Sequence, residues 1–382
     1  MTRFPARCLA VLALALAACN DGISGPQRTL VLVGRLERGL TVKVGMQLGT
    51  NSALEAVSDI AINPSDAAKV LPSGDILLTR SGNVTITAQS SDGTVTNSFG
   101  VAAPPVIVFD GLINGNRDIY RIAIDGVELT RLTTDLASDQ HPSATGNLVL
   151  FTSFRDGNAE LYTVTLDATA VERRITTTTF GETQAELSPS GRRVVYANNA
   201  TGFSKVFIAT FDPASSPQLG TPARLSAASF GGAGTIESSP TFAPASDKVA
   251  LMTTATPSGG AGLFTAAAAA NSVPVLVSAS GTSIVEVEPA WSVDGFFIAY
   301  AAPAGTATEI FTRDLRSGTV TQVTKAGGSN GQPAWLPDGR IVFTTFVSGT
   351  ASLSWVDPAR PLEIHPILIT NGSAEHPAPA RP

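Results

Sequence analysis

His141 and His376 occupy the same place relative to a recurring residue, one position before Pro142 and one before Pro377. Neutral imidazole is a common metal ligand, so a repeat that returns both rings to one spot could place chemistry there. Four other residues fill the equivalent slot: Gln184 before Ala185, Ser239 before Pro240, Glu288 before Pro289 and Gln332 before Pro333. Two readings of this set stay open. In one, His141 and His376 hold a divalent metal with a neighbouring amide or carboxylate. In the other, the six side chains are the polar, water-filled lining of a channel. Three residues before each anchor stand Asp139, Glu182, Glu237, Glu286, Asn330 and Ala374. The four acids would form a ring at one channel mouth that attracts a cation or a basic peptide; solvated loop charge is the plain alternative. Gly327-Gly-Ser329-Asn-Gly331 matches the G-x-S-x-G spacing of a nucleophilic serine. That chemistry needs a strand before the serine and a helix after it. Here the run joins the end of one repeat to the start of the next, so no nucleophile is expected.

The elements that would position these residues recur along the chain. Pro289-Ala-Trp-Ser-Val-Asp-Gly-Phe-Phe-Ile-Ala-Tyr300 and Pro333-Ala-Trp-Leu-Pro-Asp-Gly-Arg-Ile-Val-Phe343 are variants of one segment, and Glu186-Leu-Ser-Pro-Ser-Gly-Arg-Arg-Val-Val-Tyr196 is a third. A repeat at a roughly fixed period of this length marks a modular architecture. Short apolar strands follow each anchor at Leu148–Thr152, Val194–Ala197, Val249–Thr253, Phe297–Ala301 and Ile341–Thr345. A sixth, Val106–Phe109, has no anchor before it. Its missing partner stands at the far end, in Glu375-His-Pro-Ala-Pro379. The last segment therefore supplies the inner strand of the first repeat and closes a ring, which removes an open edge. The fold class is all-β, with a six-bladed β-propeller over 105–382. Proline at the start of an inner strand suits an edge that faces a channel, because it has no N–H to pair. Phe242, Trp291 and Trp335 share one phase of the repeat and are expected to pack between blades.

Residues 28–102 read as a separate small β-sandwich. Thr29–Val33, Leu40–Val44, Ile60–Ile62, Ile76–Thr79, Val84–Gln89 and Thr94–Val101 alternate apolar and polar residues between turn signals. Ala102-Ala-Pro-Pro105 is the linker. The first residues are a targeting segment. Arg3 and Arg7 precede an apolar run from Leu9 to Ala18 that is shorter than the roughly 20 residues a spanning helix needs. Cys8 and Cys19 are the two cysteines, so no disulfide is expected in the mature chain. The net charge is −6, and loss of Arg3 and Arg7 makes the remainder more acidic. That excludes nucleic-acid binding through bulk charge.

Three resemblances follow from these residues. Leu16-Ala-Ala-Cys19 resembles the lipobox of bacterial lipoproteins, which implies a signal peptide over 1–18, lipid on Cys19 and a short tether over 19–27. Lipid would then be the membrane anchor, and Asn20 in the position after it favours the outer membrane. The run Asn63-Pro-Ser-Asp-Ala-Ala-Lys-Val-Leu-Pro-Ser-Gly-Asp75 with Ser81-Gly-Asn-Val-Thr-Ile-Thr-Ala88 resembles bacterial Ig-like domains of the Big-2 kind. The anchors, turns and strands of 105–382 resemble the TolB-type, or WD40-like PD40, propeller repeat. The N-terminal part does not resemble the α/β domain of that family. These resemblances imply a cell-envelope module that binds a protein or glycan without catalysis. Oligogalacturonate lyases carry a related propeller with a His/Gln metal site, so a metal-dependent carbohydrate-active enzyme is the alternative.

Overall fold

The computed structural model describes residues 28–381 except 49–52, 92, 114, 168, 170–171, 233, 256–259, 279–285, 326–327 and 370–371. The expected signal peptide over 1–18, Cys19 and the expected tether lie outside the described residues. Among the described residues every regular element is a strand, and no helix is long and apolar enough to cross a membrane. The chain divides into two compact units, Met1–Pro104 and Pro105–Pro382.

The described part of the first unit holds two antiparallel sheets. One runs Arg28–Val33, Thr41–Leu48, Ile76–Leu78, Ala68–Val70; the other runs Ser58–Asn63, Gly82–Ser90, Gly93–Val101. Alternation along each strand sends one side-chain set inward, and Leu30, Val42, Met46, Ile76, Val84, Ile86 and Phe99 form the shared core. The Asn97 amide donates to the Leu30 carbonyl at 3.0 Å and ties the two sheets together inside that core. Ala68–Val70 has no counterpart among the expected strands, because three residues are too few to show alternation.

The second unit repeats a four-stranded antiparallel meander. A representative sheet runs Glu182–Leu187, Arg193–Asn198, Lys205–Thr210, Ala223–Arg224. Sheets of the same order begin at Glu237–Phe242, Val287–Trp291 and Ser329–Trp335. The turn from inner to second strand is typified by Leu336 to Arg340, where Gly339 takes φ +89° and donates to the Leu336 carbonyl. Outermost strands are short, which limits the edge each sheet offers to another chain.

The C-terminal strand Gly372–Arg381 pairs antiparallel with Val106–Ile113 and parallel with Asp139–Thr145, through Ala144 with Ala380 and Thr145 with Arg381. It thus takes the inner place beside Val106–Ile113 and joins two meanders into one eight-stranded sheet. Cores lie between neighbouring sheets rather than within one. Phe242 packs on Val195 and Val206 of the sheet before it, Trp291 on Ala250 and Leu263, and Trp335 on Ala299 and Ile310. The Trp335 indole N–H donates to the Ala290 carbonyl at 3.1 Å, so its one polar atom is satisfied on burial.

Candidate functional site

The six inner strands converge on one cavity of about 170 Å³. His141, Gln184, Ser239, Glu288, Gln332 and His376 all line it. Their backbone explains why. Each has a positive φ, between 48° and 55°, though none is glycine. Each sits where the pairing of inner and second strand slips by a bulge: between Gln140 and Ser143, Thr183 and Glu186, Ser238 and Thr241, Val287 and Ala290, Gly331 and Ala334, and Glu375 and Ala378. A left-handed residue costs about 1–2 kcal/mol, so six at one offset mark a position that the surroundings hold in place.

The holding groups are the slot side chains Gln184, Glu288 and Gln332, each reaching the next slot, together with Asp110. Gln184 Oε1 accepts the Ser239 backbone N–H at 3.0 Å, and Glu288 Oε2 accepts that of Gln332 at 2.6 Å. Gln332 Oε1 accepts the His376 N–H at 2.9 Å and the Thr344 hydroxyl at 2.6 Å. Asp110 Oδ1 accepts the His141 N–H at 3.1 Å. These bonds link strands that are distant in sequence and satisfy N–H groups the bulges expose.

His141 and His376 stand with ring centroids 4.0 Å apart. His376 Nδ1 meets Asp110 Oδ1 at 2.7 Å, and its Nε2 meets the Gln332 side-chain nitrogen at 2.8 Å. Because Gln332 Oε1 already accepts two donors, its amide nitrogen faces the ring and donates. That fixes the neutral His376 as the Nδ1–H tautomer, with Nε2 accepting. Burial opposes protonation of His376, yet the Asp110 hydrogen bond and charge outweigh it and raise its pKa. His141 is lowered to about 3, first by burial and then by the charges of His376 and Arg117, so it is neutral. Burial alone would raise Asp110, but the His376 hydrogen bond and charge, with the charge of Arg117, hold it below the usual carboxylate range. Glu288 is raised by burial against the Gln332 N–H and His376.

This arrangement tests the metal reading. Both His376 nitrogens are committed, one to Asp110 and one to Gln332. Among the described residues, no group of three or more His, Cys, Asp or Glu is placed to hold a metal ion. The donor set therefore does not fit a divalent metal held by His141 and His376 as arranged.

The acidic ring takes a different form from the one expected. Asp139, Glu182 and Glu237 are fully buried, and all four acids stand away from the cavity lining. Asp139 pairs with Arg155 at 3.1 Å, Glu237 with Arg224 at 3.2 Å and Glu286 with Arg313 at 3.0 Å. Glu182 accepts the Thr178 hydroxyl at 2.7 Å and the Asn198 amide at 2.5 Å. On a regular strand, residues two apart share a face. The left-handed slot breaks that alternation, so the slot residue turns into the cavity while the acid stays between sheets. Ser329 opens the inner strand Ser329–Trp335 rather than a turn into a helix, so the serine elbow is not formed; Gly327 lies outside the described residues.

Three partners were not singled out from the sequence. Asp110 is fully buried and bonded to Arg117 on its other oxygen. Its signal was a carboxylate ending the apolar run Val106-Ile-Val-Phe109. The other two, Arg381 and Glu186, both line the cavity and pair at 3.1 Å.

Comparison with known proteins agrees on fold. TolB from Acinetobacter baumannii has a similar structure, with a TM-score of 0.61 and 16% identity over 80% of this chain and 81% of that one. Hydrazine synthase from Kuenenia stuttgartiensis matches with a TM-score of 0.59 and 12% identity, over 73% of this chain and 46% of that one. In sequence, the Tol-Pal system protein TolB of Francisella tularensis is 33% identical over 61 residues. That match covers 16% of this chain and 14% of the relative's length. No family model matches the chain. The structural neighbours are TolB and other propeller proteins, and this chain, all-β among its described residues, shares their propeller architecture.

Proposed function

We propose that this chain is a lipid-anchored cell-envelope protein whose six-bladed propeller, 105–382, is a non-catalytic binding module for a protein or glycan partner. In this reading residues 1–18 are a signal peptide, Cys19 carries the lipid, 19–27 are a tether and 28–102 are an Ig-like spacer. Asn20 after the lipidated position favours the outer membrane. The observation that carries the binding reading is the cavity. Its inward-turned side chains hold one another in place, and His376, the ring best placed for acid–base work, has both nitrogens occupied. Rigid polar groups around a concavity give recognition. The likeness to TolB supports the envelope setting by analogy of fold. The lyase alternative would need Gln332 to release His376 Nε2 for a metal.

One preparation tests both parts. Wild type is expected in the membrane fraction and Cys19→Ala in the soluble or uncleaved pool, since acyl chains contribute about 0.8 kcal/mol per buried CH₂. The purified protein is expected to leave uronate oligosaccharides intact with or without divalent metal, read by absorbance of the unsaturated product. Membrane partition of a cleaved Cys19→Ala chain would overturn the anchor, and metal-dependent product would overturn the binding reading.

A further inference from the structure

Where the third strand of one sheet meets the inner strand of the next, the same two positions face each other. At one such seam Lys205 meets Glu237, Nζ to Oε1 at 3.9 Å. At another the Asn330 amide donates to Glu309 Oε2 at 2.7 Å. One seam is satisfied by opposite charge and the other by an amide donor. The seam between Glu160–Thr165 and Glu182–Leu187 has neither, because Glu160 meets Glu182.

The Glu182 backbone N–H donates to the Ala159 carbonyl at 2.9 Å, which brings Glu182 alongside Glu160, and both residues are 0% exposed. Glu160 Oε1 accepts from Asn158 at 3.0 Å and Arg174 at 2.9 Å. Glu182 Oε1 accepts from Thr178 and Asn198. The remaining oxygens, Glu160 Oε2 and Glu182 Oε2, are both buried without a donor. Arg174 is the nearby cation, and it also pairs with Asp156 at 3.0 Å. Tyr162 gives its hydroxyl to Asp156, and Tyr196 is pushed further from ionisation by burial and by Glu182. Among the described residues no group donates to the two orphan oxygens. Two carboxylates so placed repel strongly where water is excluded.

We propose that Glu182 holds a proton against the Glu160 carboxylate, which makes this seam a proton-binding site that tightens in mildly acidic solution and loosens as the proton leaves. The proton comes from solvent and returns to solvent on release. Burial, helped by the charge of Glu160, raises Glu182 from 4.5 to about 7. The seam's contribution to stability is then fully present below 4.5, the unfolded value, and is lost as pH rises to about 7.

The test is thermal unfolding of the full-length protein across this range, wild type against Glu182→Gln. Glutamine supplies an amide donor to Glu160, as Asn330 does to Glu309, without a titrating group. The wild-type midpoint should fall relative to the variant between these pH values and run parallel above them. Glu288 is present in both chains and cancels in the difference. The infrared difference between wild type and Glu182→Gln should contain a protonated carboxyl band that disappears through neutral pH, the bands of Glu288, Asp118 and Asp139 being common to both. Parallel unfolding curves throughout would overturn the proposal. If the variant does not fold, a wild type without that band would overturn it alone.

Discussion

A chain truncated after Ser373 is expected to lose the cooperative unfolding of its second unit. The missing segment pairs with Val106–Ile113 through Ala374, Glu375, Ala378 and Pro379 and bridges to Asp139–Thr145. It also carries His376 to Asp110 and Glu375 to Arg117, at 2.7 Å in both cases. Each ladder hydrogen bond contributes about 1 kcal/mol net. Removing several of them with two buried or half-buried ion pairs approaches the roughly 5–15 kcal/mol that holds a whole domain. The truncation would also leave Val108 and Phe109, both fully buried, on an exposed edge, so aggregation should accompany the loss. All three tryptophans, Trp291, Trp335 and Trp355, lie in the second unit, so their fluorescence reports on it directly. The truncated chain should show no cooperative tryptophan transition, while circular dichroism retains the strand signal of residues 28–104. An unchanged transition would show that the C-terminal strand is not the closing element.

Asp110→Ala should be the most damaging single substitution in the site. It leaves the Arg117 guanidinium, the His376 Nδ1–H and the His141 backbone N–H without their common acceptor. Breaking a buried charge pair from one side costs about 3–5 kcal/mol, because the partner stays desolvated. The pH dependence has two parts. Asp110 is held low, so its contribution is present above the ordinary carboxylate pKa and lost in strong acid. His376 is held high, so its contribution is present below 6.5 and lost as pH rises through its raised value. In Asp110→Ala burial is opposed only by the charges of Glu375 and Glu288, and the His376 pKa should fall relative to wild type, as measured by NMR titration of the ring protons. A His376 that titrates as in wild type would mean that Asp110 does not set its charge.

The repeat was legible because its signals are steric. Proline at Pro142, Pro240, Pro289, Pro333 and Pro377, and turns such as Pro337-Asp-Gly339, show which residues begin a strand and which end it. The far-end strand was legible for the same reason: Pro377 is the anchor that Val106–Phe109 lacks. The direction of the side chains was not. Glycine usually announces a positive φ, but here it falls on His141, Gln184, Ser239, Glu288, Gln332 and His376, held by contacts from other strands. Without that knowledge Glu182 and Gln184 seem to share a face, and the acids seem to line a mouth. Asp110 was hidden differently, since its partner His376 is 266 positions away and only the closed ring brings them together.

The cavity is proposed to bind a partner and to do no chemistry on it. Calorimetric titration of wild type and of Ser239→His/Glu288→Gln, with the partner isolated on immobilised wild type from envelope extract, tests this most directly. Both replacements are residue types that slots of this kind already hold, in His141, His376, Gln184 and Gln332, so the fold should tolerate them. Together they narrow the cavity and remove one of its two carboxylates, Glu288, leaving Glu186 paired with Arg381. Loss of one well-placed polar contact and of space should weaken binding at least about tenfold, or about 1.4 kcal/mol, with unfolding unchanged. Equal affinity in the two proteins would contradict the account, as would conversion of the partner into a new product by the wild type.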